Sequence, residues 1–346
     1  MRDFDLSTSN ANAVWLALLL VLGCASPGSP GGADTAPAAD PNAEEVALAF
    51  AWPDDFAAEV EARMVTDRGK TMDYAFELRA ERGGDRLWLR HRAFRMKSPK
   101  TGQLVPLAPE SQEAKLIAGI EPDFAVDREG SLAEIDDEAV AAMVDDLIVH
   151  AAEGEAPPEQ VRELARRVAV ARQARRAQEV WGALVESWVG ASVGLDSRYE
   201  GLEMQRSPQD RPGSEMDFVG ELEVGGWIPC PGATGERRCV ELSMASRLAE
   251  QDPQRLMREL GLDLRELGLD KLEPDAVDLI EGRHAADLVV EYREEESIRL
   301  VCEPGRLIPH ELDHRSARLL AMDVPGRGIE RLDRVRETRY RFRYAD

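Results

Sequence analysis

The chain is short of positive charge, histidine and cysteine. Lys and Arg number 43 against 66 Asp and Glu, a formal net charge of −23. So acidic a surface repels polyphosphate, and nucleic acid is excluded as a partner. No glycine-rich phosphate loop follows a strand-like run, which removes Rossmann and P-loop nucleotide binding. No Gly-x-Ser-x-Gly elbow is present, and the many carboxylates are scattered along solvated faces rather than gathered as a catalytic pair. Beyond residue 24 no run of about eighteen apolar residues occurs that a spanning helix needs. Only five histidines exist, and two of them fall in one motif.

What is present begins at the N-terminus. Ala13–Leu22 is an uncharged apolar run of signal-peptide length, too short to cross a bilayer comfortably. It leads into Val21-Leu22-Gly23-Cys24, which resembles the lipobox of bacterial lipoprotein precursors. The resemblance implies that residues 1–23 are a signal peptide and that Cys24 becomes the lipidated mature N-terminus. Several acyl chains at ~0.8 kcal/mol per buried methylene anchor a protein stably. Ala25, standing where lipoprotein sorting reads Asp, implies the outer membrane, with the protein facing the periplasm. The alternative is an ordinary signal peptide cut near Gly23, with Cys24 incidental. Residues 24–45 hold almost no large apolar side chain and read as a lipidated flexible tether.

Three cysteines follow Cys24. Cys230 and Cys239 bracket PGATGERR, a Pro/Gly-rich turn, and in an oxidising envelope they are expected to pair. So short a loop contributes roughly 2–3 kcal/mol. A zinc-ligand role is the weaker alternative, since the spacing is not Cys-x-x-Cys and no second pair exists. Cys302 lies in the apolar run SIRLVCE and reads as a buried free thiol rather than a nucleophile.

Residues 46–346 read as one α+β domain. In 46–135 Met72, Tyr74, Phe76 and Leu78 alternate with Asp73, Ala75, Glu77 and Arg79, the period of a half-buried strand. ERGGDR turns the chain into RLWLRHRAFRM, and Asp127–Gly130 makes a second turn. Residues 136–192 change to helical period. Asp136 or Asp137 is a plausible N-cap, PPEQ opens a further helix, and Val161, Leu164, Ala165 and Val168 form its apolar stripe. Trp181 and Trp188 read as core. RRVAVARQARR is the one basic patch, a solvated face or a partner for the chain's own acids. Residues 198–346 return to alternation, interrupted by a short helix at 252–267, and close on Tyr340, Phe342 and Tyr344 alternating with Arg339, Arg341 and Arg343. Strands, helices and strands in that order predict a curved, mainly antiparallel β-sheet with helices packed on one face. The layout resembles the half-barrel lipoprotein carriers of the bacterial envelope, the LolA/LolB and LppX kind. It rests on architecture alone, and no functional residue is carried across.

HELDH at 310–314 fits His-Glu-x-x-His, which on a helix supplies two zinc ligands, here His310 and His314, and a general base, Glu311. Pro309 precedes it, Asp313 and Arg315 put charge where such helices are buried, and Ala317 stands where the longer motif needs Gly. On a helix the two histidines would lie opposite Leu312 and Leu319. As a strand, RLIPHELDHRS sets Ile308, His310, Leu312 and His314 on one face, after a turn at 303–305, with Pro309 marking an edge or bulge. The strand reading is preferred, so no catalytic or metal residue and no cofactor are assigned. The zinc metallopeptidase is the alternative, and a purely structural or interaction lipoprotein is another. The leading expectation is a non-catalytic, lipid-anchored envelope protein that binds a hydrophobic small molecule or a partner protein.

Overall fold

A computed structural model describes residues 45–66, 69–151, 159–206, 216–233, 237–249, 254, 285–324 and 328–344. The expected signal segment, Cys24, nearly all of the expected tether and nearly all of the short helix expected at 252–267 lie outside the described residues. Fifteen strands are described: β1 (Glu45–Ala47), β2 (Ala57–Val65), β3 (Thr71–Gly83), β4 (Arg86–Lys97), β5 (Leu104–Pro106), β6 (Phe124–Val126), β7 (Leu132–Ile135), β8 (Ser192–Gly194), β9 (Ser197–Arg206), β10 (Met216–Val224), β11 (Ile228–Pro229), β12 (Arg238–Leu248), β13 (Val289–Glu303), β14 (Ile308–Val324) and β15 (Gly328–Arg343). Three α-helices accompany them: α1 (Gln112–Ile120), α2 (Asp137–Ala151) and α3 (Glu159–Trp181), the last running into a π-turn at Gly182–Glu186.

Thirteen strands form one antiparallel sheet in the order β7-β6-β4-β3-β2-β15-β14-β13-β12-β10-β9, with β5 beside β4 and β11 beside β12. Among the described residues the sheet does not close. Its continuity depends on β15, which pairs with β2 and so joins the first and last described strands of the path in sequence. Sequence alternation decides which face is which. Val224, Leu242, Leu300, Leu312, Tyr340, Ala62 and Tyr74 sit side by side across seven strands, and all are buried. One residue along, the row reads Glu223, Ser243, Arg299, Asp313, Arg339, Arg63 and Asp73. A period of two puts the first row in the core and the second in water.

The charged face is laced across strands. Arg299 on β13 reaches Glu241 on β12 (2.7 Å), Glu311 (3.1 Å) and Asp313 (3.4 Å) on β14. Arg339 and Arg341 on β15 face Asp313 and Glu311, and Arg343 faces Glu61 on β2. Each exposed pair is worth only about 0–1 kcal/mol, but their alternation fixes register.

The helices begin where polar caps satisfy free backbone donors. Ser111 accepts from the Ala114 amide (3.1 Å) at the start of α1, and Asp136 from the Ala139 amide (3.1 Å) at the start of α2. The α3 helix departs from expectation. Val161, Leu164 and Val168 are exposed rather than core, and burial shifts to Gln173, Arg176, Ala177, Val180 and Trp181 near its C-terminal end. Trp181 and Trp188 are buried as expected. Trp181 donates to the carbonyl of Gly130 (2.7 Å), and its ring meets Phe50, Trp52 and Phe124. Gly130 has φ +87°, and a Cβ there would strike Phe50 at 2.8 Å, so glycine is required at this turn.

Candidate functional site

HELDH lies on a strand, within β14, as the alternation and the preceding turn predict. The two histidines nevertheless do not share a sheet face. Register shifts by one between Val301 and Cys302: Val301 opposes Glu311, while Cys302 opposes Pro309. His310 is therefore the extra residue of a β-bulge, which leaves it out of the alternation. His314, two residues after Leu312 in the regular part of the strand, pairs with Ile298 on the apolar side. His310 instead joins the separate cluster of Cys230, Cys239 and Val301, which belongs to the other side of β13.

Cys230 and Cys239 form the expected disulfide, with Cα atoms 5.0 Å apart. Their sulfurs and a ring nitrogen of His310 all lie within 4.8 Å of one another, and all three residues are buried. His310 Nδ1 is 3.0 Å from the Pro231 carbonyl, and Nε2 is 3.3 Å from Glu303 Oε1. Burial pushes the Glu303 carboxyl up, but His310, Arg237 and Arg306 outweigh it and hold the group below the ordinary carboxylate range. Cys302 is a buried free thiol, pushed up by its burial and then by the neighbouring Glu303. That state is unreactive.

His314 Nε2 contacts Glu296 Oε1 at 2.7 Å. Glu311 faces the charged side, held by Arg299 and Arg341. The structure thus brings His310 to the disulfide, His314 to a glutamate and Glu311 to two arginines, and does not gather the three around one point. Beside Glu311 and Asp313 the charged face carries a depression of about 430 Å³, floored by Ser243, Ala245 and Ser297 where longer side chains would fill it. Its rim mixes Arg198, Arg299 and Arg339 with Glu221, Glu223 and Asp313. Arg198 pairs with Glu221, and Arg299 and Arg339 with Asp313.

A second buried polar cluster was not anticipated. Glu121, at the C-terminal end of α1, accepts from Tyr74 (2.5 Å) and Tyr340 (2.7 Å) through one oxygen. Arg176 of α3 donates to the Tyr340 hydroxyl (2.8 Å) and the Ile120 carbonyl (3.2 Å), and lies 3.8 Å from Glu121. Burial, then Glu121, pushes Tyr74 well above the usual phenol range. Burial does the same for Tyr340, with Arg176 opposing and Glu121 adding to it. Both hydroxyls therefore remain donors. Arg176 belongs to the basic patch RRVAVARQARR, one of whose arginines thus pairs with the chain's own acid. Nothing local in the sequence couples it to residue 121. The Ser111 cap was the available signal for α1 and so for Glu121.

No family model matches the chain, and no curated protein matches it. Among solved structures, one described as "Lipid-protein interactions in lipovitellin" is similar at 10% identity and a TM-score of 0.35, covering 89% of this chain and 26% of that one. The chain thus spans about a quarter of that protein's length. Likeness at this level carries no functional argument.

Proposed function

We propose that this chain is a lipid-anchored protein of the bacterial cell envelope, at the outer membrane facing the periplasm, that acts by binding a hydrophobic molecule or a partner protein rather than by catalysis. The observation that carries the anchor is Val21-Leu22-Gly23-Cys24 at the end of an apolar run and ahead of a stretch with almost no large apolar side chain. The binding reading is supported by the open antiparallel sheet. In this reading the sheet is a curved half-barrel, and the helices sit against its apolar face. Ile117 of α1 and Ala177, Val180 and Trp181 of α3 share one core with Val60, Leu300, Leu312 and Phe342 of the sheet. Non-catalytic action is supported by the commitment of Glu311, His310 and His314 to separate partners.

Solvent extraction of the purified protein, read by mass spectrometry, tests the binding half. A hydrophobic species recovered in proportion to protein supports a ligand, and a reproducible stoichiometric partner with no such species supports protein binding. Zinc at about one per chain that is lost in His314→Ala, accompanied by peptide hydrolysis, would replace this reading with a metallopeptidase.

A further inference from the structure

The one place among the described residues where three metal-ligating groups converge is the disulfide itself. His310 explains why this is more than a crosslink. The Pro231 carbonyl can only accept a hydrogen bond, so Nδ1 of His310 carries the proton that points at it, 3.0 Å away. Nε2 then presents its second site to the Glu303 carboxylate at 3.3 Å. The His310 side chain has no exposure. An Nδ1–H given to a backbone carbonyl is also how metal-binding histidines are held with Nε2 free to ligate.

Bonds of about 2.0–2.3 Å to N and S imply ligand-to-ligand edges of about 3.3–3.8 Å in a tetrahedral site. The two sulfurs and one ring nitrogen of His310 lie within 4.8 Å of one another, so the imidazole already stands close to such an edge. The bulge places His310 beside the cysteines, and Glu303 follows Cys302 on the paired strand.

We propose that the Cys230–Cys239 loop is a redox-gated site for a thiophilic divalent cation of the zinc class, with Cys230, Cys239 and His310 as its ligands and Glu303 beside the imidazole. A dithiol reductant cleaves the sulfur–sulfur bond, supplies two electrons and two protons, and leaves as its own disulfide. Zinc then displaces the two thiol protons. In the reverse direction a disulfide oxidant takes two electrons from the two thiolates and two protons from water, leaves as its own dithiol, and the re-formed Cys230–Cys239 bond expels the metal. The oxidised form is a covalent staple, and the reduced form keeps the loop closed through the ion. This site is separate from the histidine pair of HELDH, since it uses His310 without His314 or Glu311.

The test uses the purified full chain in detergent, oxidised or reduced with a phosphine, titrated with Co²⁺ and then Zn²⁺. The reduced protein is expected to bind one Co²⁺ with a sulfur-to-cobalt charge-transfer band that Zn²⁺ removes, and the oxidised protein to show none. His310→Gln should weaken binding by at least the roughly 10–100-fold typical of outer-shell losses. The Cys230→Ser/Cys239→Ser double variant should lose the band, and Cys302→Ser should keep it. Should the serine variant not fold, the wild type decides: Zn²⁺ should slow alkylation of Cys230 and Cys239 in the reduced chain. No band together with unslowed alkylation, or a band that survives the double serine change, overturns the proposal.

Discussion

Replacing Glu121 with alanine removes the acceptor that two buried tyrosines share. The carboxylate is 3% exposed, and it takes hydrogen bonds from Tyr74 at 2.5 Å and Tyr340 at 2.7 Å with Arg176 at 3.8 Å. Breaking a buried ion pair by deleting one partner costs about 3–5 kcal/mol. Counting instead two hydrogen bonds to a charged acceptor, at about 1.5–3 kcal/mol each, gives much the same range. Arg176 keeps the Tyr340 hydroxyl, the Ile120 carbonyl and Glu179 at 3.7 Å, so the lower end applies, about 3 kcal/mol. At roughly 2–4 °C per kcal/mol, Tm should fall by about 6–12 °C. Glu121→Gln keeps one acceptor oxygen and should cost only about 1–2 kcal/mol. Urea unfolding followed by circular dichroism reads both variants. A Glu121→Ala protein within about 0.5 kcal/mol of wild type would mean that the shared acceptor contributes little to stability. Strict additivity with Arg176→Met would refute the network, because residues in one network should show coupling of about 0.5 kcal/mol or more.

The same structure sets limits in pH. Burial pushes Asp123 up, but the His91 side chain and amide (2.7 Å) and Arg92 (2.8 Å) outweigh it and hold the group well below the ordinary carboxylate range. Its stabilisation is complete above the unfolded value near ~4 and drains as pH falls below it, so Asp123→Asn should flatten the acid limb of a stability–pH curve. Tyr74 and Tyr340 are raised in the fold, so their stabilisation is complete below about pH 10 and is lost as pH climbs beyond it; alkaline unfolding should begin there and weaken in Tyr74→Phe. Cys230 and Cys239 should resist alkylation until reduced, and Cys302 until the protein unfolds. Immediate labelling of all three in the native protein would contradict the burial described.

Much of the sheet was legible because alternation is a strong signal when one face is apolar and the other ionic. Tyr340, Phe342 and Tyr344 against Arg339, Arg341 and Arg343 specify β15 almost alone. HELDH was legible as a strand for the same reason, and Pro309 hinted at a bulge. What the bulge does was not legible. One extra residue at His310 takes that side chain out of the alternation, and no local pattern marks which residue is the extra one. The stripe on α3 failed differently. Val161, Leu164 and Val168 have helical spacing, yet the helix is anchored through Ala177, Val180 and Trp181, where the sheet offers Tyr340 and the end of α1 offers Glu121 to Arg176. Periodicity finds a stripe but does not say which turn meets the core. The Glu121 cluster joins residues 74, 121, 176 and 340, which only the folded topology brings together.

The proposed membrane attachment is through Cys24 at the N-terminus. The most direct measurement is the mass of the N-terminal peptide of the protein recovered from bacterial membranes, beside a Cys24→Ser control. The expected result is a mature chain that begins at Cys24 and carries acyl groups, with the serine variant released from the membrane fraction. A mature chain with unmodified Cys24, or a Cys24→Ser protein that stays with the membrane, would contradict it.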